Sequence, residues 1–222
     1  MNKVIVVAVH PDDETLGAGG TLLKHKSVKD EIYWLIVTSA LSSCGYSEEF
    51  IKTRASEIKA VSSAYGFKDV FELGLPAGFI DTVSMKVIVE KISSVFKKVS
   101  PQTVYLPFAN DAHSDHRKVF EASMSCVKSF RHPYFKKILM METISETEFA
   151  PAINGFNFTP NCFADISDFH FKKIEILKKY ESELGKFPFP RSIENVEALS
   201  KYRGAAIGCK YAESFMILKE VM

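Results

Sequence analysis

Val4 to Val9 is an unbroken apolar run, rich in β-branched residues and flanked by polar ones, which predicts a short strand buried on both faces. Thr15 to His25 follows as a helical stretch, so the chain begins with a strand-to-helix unit. Ile32 to Thr38 is the next strand-like run. Leu41 to Tyr46 reads as loop, and Ser47-Glu48-Glu49 as the capped start of a helix that runs to Tyr65 and stops at Gly66. Val70 to Leu73 predicts a third, shorter strand, with Gly74-Leu75-Pro76-Ala77-Gly78 as the loop after it. Between Ser84 and Val99, the residues Val87, Ile88, Ile92 and Val95 share one helical face, and Pro101 ends the helix.

The alternation continues through the second half. Thr103 to Pro107 is a fourth strand, Arg117 to Phe130 a helix, and Lys137 to Met141 and Cys162 to Ile166 are further strands. Asp168 stands where it would cap a helix running to Leu184, after which Lys186-Phe187-Pro188-Phe189-Pro190-Arg191 is irregular. A helix from Ile193 to Ile207 and a strand from Phe215 to Leu218 complete the pattern. Strands alternating with helices predict an α/β, Rossmann-like three-layer fold, with a mostly parallel sheet and helices on both faces, in one domain spanning residues 1–222.

Composition narrows the classes without adding a feature. The 222 residues are 46% hydrophobic and 25% charged, as in ordinary globular proteins, and the formal charge is +1 from 28 basic and 27 acidic residues. No basic field is available for nucleic acid or an anionic membrane, so neither partner is expected. Cys44, Cys126, Cys162 and Cys209 lie far apart and form no CxxC pair, which speaks against a thiolate metal site or a disulfide scaffold and for the cytosol. The first apolar run is too short for a membrane span and is followed by carboxylates rather than a small-residue cleavage site, so neither a signal peptide nor stable membrane insertion is expected.

Chemistry enters at the ends of two predicted strands. His10-Pro11-Asp12-Asp13-Glu14 follows the first, and Asp111-Ala112-His113-Ser114-Asp115-His116 follows the fourth. Open α/β sheets bind and react just beyond the carboxyl ends of their strands. If these two strands are neighbours, His10, Asp13, His113 and His116 converge on one point. Imidazole and carboxylate donors suit zinc or another divalent transition metal, and a catalytic ion keeps three protein ligands, so one histidine is spare. Asp12 is then the candidate base, and His113, beside Asp115, the candidate cationic partner for a developing oxyanion.

Two other readings compete. The carboxylates of the first cluster can be helix-start residues of a non-catalytic Rossmann-like protein that binds a sugar or nucleotide. Gly17-Ala18-Gly19-Gly20 resembles part of a dinucleotide loop, but Leu22 stands at the third glycine position and the preceding carboxylates would repel a pyrophosphate. A divalent-metal phosphohydrolase shares the acidic site, but prefers Mg²⁺ or Mn²⁺ and oxygen-dominated ligation, which three nearby histidines do not offer.

At Ala8-Val9-His10-Pro11-Asp12-Asp13-Glu14 and His113-Ser114-Asp115-His116-Arg117, the chain resembles the PIG-L/LmbE-like family of zinc-dependent N-deacetylases. The resemblance extends to Gly17-Ala18-Gly19-Gly20-Thr21 and to Arg203-Gly204, Gly208 and Tyr211-Ala212-Glu213-Ser214-Phe215. It implies hydrolysis of an N-acetyl group on an amino sugar such as N-acetylglucosamine, or on a glycoconjugate. It also implies that His10, Asp13 and His116 hold zinc, that Asp12 is the general base, and that His113, oriented by Asp115, steadies the oxyanion or protonates the leaving amine. Arg54, in an Arg-x-x-Glu helix with Glu57, matches a family arginine near the sugar. Two positions depart from the pattern: Ala77 stands where many members carry a sugar-binding aspartate, and Asp111 where some carry a tyrosine. Asp111 is therefore expected beside the substrate.

Several residues carry less. Arg191 is a candidate anion contact, and the phenylalanines beside it are expected to close an edge of the core. His25, His132 and His170 are expected to be structural or surface residues, and Lys172-Lys173 and Lys178-Lys179 a solvated helix face. Thr38 and Ser39 reach either the pocket or the loop backbone. Assembly into a homo-oligomer is left open.

Overall fold

Alternation along β1 (Lys3–Ala8) sends Val4 and Val6 to one side of the sheet and Ile5 and Val7 to the other, and all four are fully buried. A strand apolar on both sides needs helices on both sides. The computed structural model, which describes residues 1–152 and 155–222, supplies them. Over the face of Val4 and Val6 lie Leu16 and Leu22 of α1 (Asp13–Ser27), Val61 and Tyr65 of α2 (Glu48–Tyr65), Ile174 of α5 (His170–Leu177) and Val196 of α6 (Ile193–Ala205). Over the other lie Ile88, Ile92 and Phe96 of α3 (Met85–Val99) and Val119 and Ala122 of α4 (Ser114–Cys126).

The sheet has seven strands in the order β3-β2-β1-β4-β5-β7-β6, with β2 Glu31–Ser39, β3 Asp69–Pro76, β4 Thr103–Leu106, β5 Lys137–Met141, β6 Cys162–Asp165 and β7 Ala212–Glu220. All neighbours pair in parallel except β7, which runs antiparallel between β5 and β6. The expected α/β three-layer architecture is therefore found. Strands β1 and β4 are adjacent, as convergence of the two polar clusters requires.

Where the elements differ from expectation, tertiary contacts explain the difference. The third strand continues through Gly74 to Pro76 because Gly74, at φ +66°, takes up a register shift against β2 and lets Leu75 pair again with Thr38. Helix α4 starts at Ser114 rather than Arg117, since His113 caps it by accepting the Asp115 N–H at Nδ1. Helix α5 stops at Leu177 rather than Leu184, and Asp168 does not cap it. Beyond its end, the Tyr180 hydroxyl bonds to Glu14 and the Ser182 N–H and hydroxyl to Glu57, which draws this stretch over the carboxyl end of the sheet.

The small residues of α1 serve close packing. A Cβ on Gly17 would lie 2.9 Å from Met141 and one on Gly20 2.7 Å from Ile166. The backbone N–H groups of Gly20 and Thr21 donate to the carboxylate of Glu213 on β7, and the ammonium of Lys173 bridges Glu213 and the Leu16 carbonyl. Lys173 is thus a buried ion-pair partner, not part of a solvated face. Phe187 and Phe189 are exposed and do not close the core.

His170 is also buried, its ring stacked 3.7 Å from that of Tyr211, and neither nitrogen has a hydrogen-bond partner among the described residues. Burial, and then Lys173, depress its pKa from 6.5 to about 4 against the opposing fields of Glu197 and Glu213. The folded state therefore favours neutral imidazole. Stability from this site is complete above the unfolded pKa and is lost as pH falls from 6.5 towards 4. Between pH 7 and pH 5 the loss is about 2 kcal/mol. His170→Phe should keep the stack and shrink the drop in unfolding free energy between those pH values by that amount. Equal drops in both proteins would refute the assignment.

Candidate metal centre and active site

The carboxyl end of β1 delivers His10 to Glu14, and that of β4 delivers Asp111 to His116. One ligand atom each from His10, Asp13 and His116 lie within 4.8 Å of one another, and the same holds for His10, His113 and Asp115. The rings of His10, His113 and His116 have centroids 4.7 to 5.8 Å apart.

His116 distinguishes the two sets. It is fully buried, its Nδ1 faces Asp111 Oδ2 at 2.8 Å, and its Nε2 has no hydrogen-bond partner among the described residues. Nε2 lies 3.5 Å from Asp13 Oδ2, close to the roughly 3.4 Å that separates two ligands of a tetrahedral ion with bonds near 2.1 Å. A carboxylate behind a histidine fixes the tautomer that presents the other nitrogen to a metal. Burial opposes protonation of His116, but Asp13 and Asp111 outweigh it and raise its pKa to about 9. The proton held there stands where an ion would. His10, Asp13 and His116 thus fit a divalent cation in donor type, spacing and an otherwise orphaned nitrogen.

Asp111 belongs behind this centre, not beside a substrate. It is fully buried, bonds His116 and receives the Thr147 hydroxyl at 2.7 Å, and does not line the cavity. Asp115 also differs from expectation. Its Oδ2 faces His10 Nε2 at 3.2 Å and accepts the Gly78 N–H at 2.7 Å, so its carboxylate orients His10, while its backbone N–H, not its side chain, holds the His113 ring. That leaves Nδ1 as the uncommitted ring nitrogen of His10. Burial, and then His10, lower the pKa of His113. Its Nδ1 accepts a backbone N–H, so the neutral ring carries its proton on Nε2. Both effects work against the cationic form expected of it.

A cavity of about 320 Å³ opens beside the cluster and is lined by His10, Asp12, Asp13, Tyr46, Phe50, Arg54, Ala77, His113, Glu146, Glu183 and Arg191, among others. Asp12 stands at the N-cap position of α1 with φ 138° and ψ −27°, and its carboxylate makes no cap hydrogen bond. Burial, and then Asp13, push its pKa well above the usual range, while Arg54 and Arg191 oppose them. Arg191 Nε is 3.9 Å from Asp12, and its guanidinium is held by Glu183 and the Ser145 hydroxyl. Arg54 lines the same cavity, but its terminal nitrogens already serve Glu57, Ser182 and the Pro11 carbonyl. Thr38 spends its hydroxyl on the Val9 carbonyl.

Glu146 and Glu183 are cavity carboxylates with no periodic signal in the sequence. Glu146 accepts the His113 N–H at 3.1 Å, and Glu183 pairs with both arginines. Ala77 contributes only a methyl group. The arrangement can hold a cation against one free carboxylate and one neutral imidazole donor, which are the parts of a metal-assisted hydrolase.

Comparison with known proteins gives the chain its relatives. The PIG-L family model, described as GlcNAc-PI de-N-acetylase, matches residues 5–127. The chain is 24% identical to the diacetylchitobiose deacetylase of Thermococcus kodakarensis, with 96% of this chain and 82% of that protein covered. Among solved structures, a conserved protein of Thermus thermophilus is 25% identical with a TM-score of 0.79, covering 100% of this chain and 97% of its own. The N,N'-diacetylchitobiose deacetylase of Pyrococcus horikoshii, solved with its inhibitor MPG, is 20% identical with a TM-score of 0.78, covering 98% and 84%.

Proposed function

The chain belongs to the PIG-L family, and we propose that it is a zinc-dependent N-deacetylase that removes the acetyl group from an N-acetylated amino sugar or glycoconjugate. The observation that carries this reading is the convergence of His10, Asp13 and the orphaned His116 Nε2 beside the uncapped carboxylate of Asp12. His10, Asp13 and His116 are the residues that would hold the ion. Bound there, zinc supplies Lewis acidity that polarises an amide carbonyl and acidifies a water molecule.

The protein's own groups do the rest. Asp12, raised in basicity by burial and by Asp13, takes the proton of the attacking water. His113 donates Nε2–H to the oxygen that gains charge, as a donor already held in place by its bond from the Asp115 N–H. It cannot also protonate the departing nitrogen, since a neutral imidazole that gave up this proton would become an anion. The amine therefore receives its proton from Asp12. Diacetylchitobiose, the substrate named for the curated relative, is the first compound to try.

The test is acetate release from N-acetylglucosamine and N,N'-diacetylchitobiose before and after chelation. Chelated protein should release none, and one equivalent of zinc should restore the rate. Undiminished release by protein shown to hold no metal would overturn the reading.

A further inference from the structure

Asp12 occupies a backbone conformation that an L-residue avoids, at the one place where relaxation would remove its carboxylate from the cavity. An aspartate at a helix N-cap ordinarily has extended backbone angles and accepts an N–H of the first turn through its own side chain. At φ 138° that cap is not made. Backbone strain of this kind persists only where the surroundings over-determine it.

The over-determination lies in a single peptide unit. The carbonyl of Pro11 and the N–H of Asp12 belong to the same planar group, and each is held by a buried charged side chain. Arg54 Nη2 donates to the Pro11 carbonyl, and the Asp12 N–H donates to Glu14 Oε2 at 3.1 Å. Both clamps are anchored. Glu14 is fully buried, and its Oε1 accepts the hydroxyls of Thr15 at 2.5 Å and Tyr180 at 2.7 Å. The Arg54 guanidinium donates to Glu57 at 2.8 Å and lies over the Tyr180 ring at 5.3 Å. On the other side of Asp12, its own carbonyl accepts the Thr15 and Leu16 N–H groups at 2.9 Å and starts α1. The peptide plane before Asp12 and the helix after it are therefore both fixed, and the side chain has one direction left.

We propose that Glu14 and Arg54 are positioning residues, which act by clamping the Pro11–Asp12 peptide so that the Asp12 carboxylate faces the cavity instead of capping α1. The inference rests on the reading of Asp12 as the base. It assigns Glu14 a role that cannot involve substrate contact, because Glu14 is fully buried and lines no part of the cavity. It also turns Arg54 from a sugar contact into a brace.

The experiment is steady-state kinetics of acetate release by zinc-loaded Glu14→Ala and Glu14→Gln, with zinc content measured for each. Misplacing a reacting group by about 1 Å can cost about 100-fold in rate. Glu14→Ala should lower kcat at least tenfold, on the order of that scale, with KM and zinc content close to wild type. Glu14→Gln keeps an oxygen acceptor for the Asp12 N–H and should keep at least about half of kcat, since a neutral acceptor forms the same bond more weakly. Wild-type kcat in Glu14→Ala, a change in KM alone, or equal loss in both variants would overturn the proposal. If Glu14→Ala does not fold, Arg54→Lys carries the test: a fall in kcat at constant KM supports the brace, and a rise in KM at constant kcat overturns it. A wild-type rate in Asp12→Ala would instead remove the base itself, whatever the Glu14 variants do.

Discussion

Asp12→Ala is expected to bind zinc as the wild type does and to turn over about 10² to 10⁴ times more slowly, the range over which a positioned general base contributes. The two halves of this result have separate causes. Asp12 is a member of neither ligand group, so its removal leaves His10, Asp13 and His116 in place. Its carboxylate makes no cap hydrogen bond to α1, so the helix start keeps its bonds to the Asp12 carbonyl. Removing an acid buried beside Asp13 also relieves a repulsion, and the variant should melt no lower than the wild type. Metal analysis, a melting curve and acetate release on the same preparation separate these effects. Loss of zinc, or retention of the wild-type rate, would show that Asp12 has been given the wrong role.

His116→Ala should do the reverse, losing the metal first and activity as a consequence. The deleted Nε2 is a buried nitrogen with no hydrogen-bond partner among the described residues, and two remaining ligands do not retain a catalytic ion through dialysis. The variant should contain no stoichiometric zinc, and excess zinc in the assay should not restore turnover. Its stability should fall less than burial suggests. Asp111 loses its partner, but burial already pushes its pKa up, so it can take a proton and cost on the order of 1–3 kcal/mol rather than the larger penalty of a bare buried charge. Stoichiometric zinc in the purified variant would exclude His116 as a ligand.

The sequence was most legible where geometry follows from order along the chain. Residues that follow β1 and β4 must meet if the strands are neighbours, and the unbroken apolar run of Val4 to Val9 already demanded helices on both faces. It was least legible where meaning depends on which way a side chain turns. Asp111 and Asp115 both precede histidines, yet one supports His116 five residues on and the other reaches His10 across the sheet. No spacing separates those outcomes. Glu146 and Glu183 were missed because they lie in irregular segments, where no periodicity marks a residue as facing anything. The helix expected to reach Leu184 stops at Leu177 because Tyr180 and Ser182 find partners on other elements, and those partners are remote in sequence. Gly74 carries a loop signal in the sequence and serves as a bulge within β3, since positive φ is common to both.

The antiparallel strand β7 ties this site to the order in which the chain is made. Glu213 receives the Gly20 and Thr21 N–H groups across 193 and 192 residues, in the same helix whose first turn carries Asp13. During synthesis, α1 and the parallel strands emerge long before the carboxylate that anchors them. Until it arrives, Lys173 lacks its Glu213 counter-charge and the Gly20 and Thr21 N–H groups lack their acceptor. The turn that carries Asp12 and Asp13 is therefore made well before the carboxylate that secures its helix. A nascent chain halted before β7 would display both polar clusters without their final support.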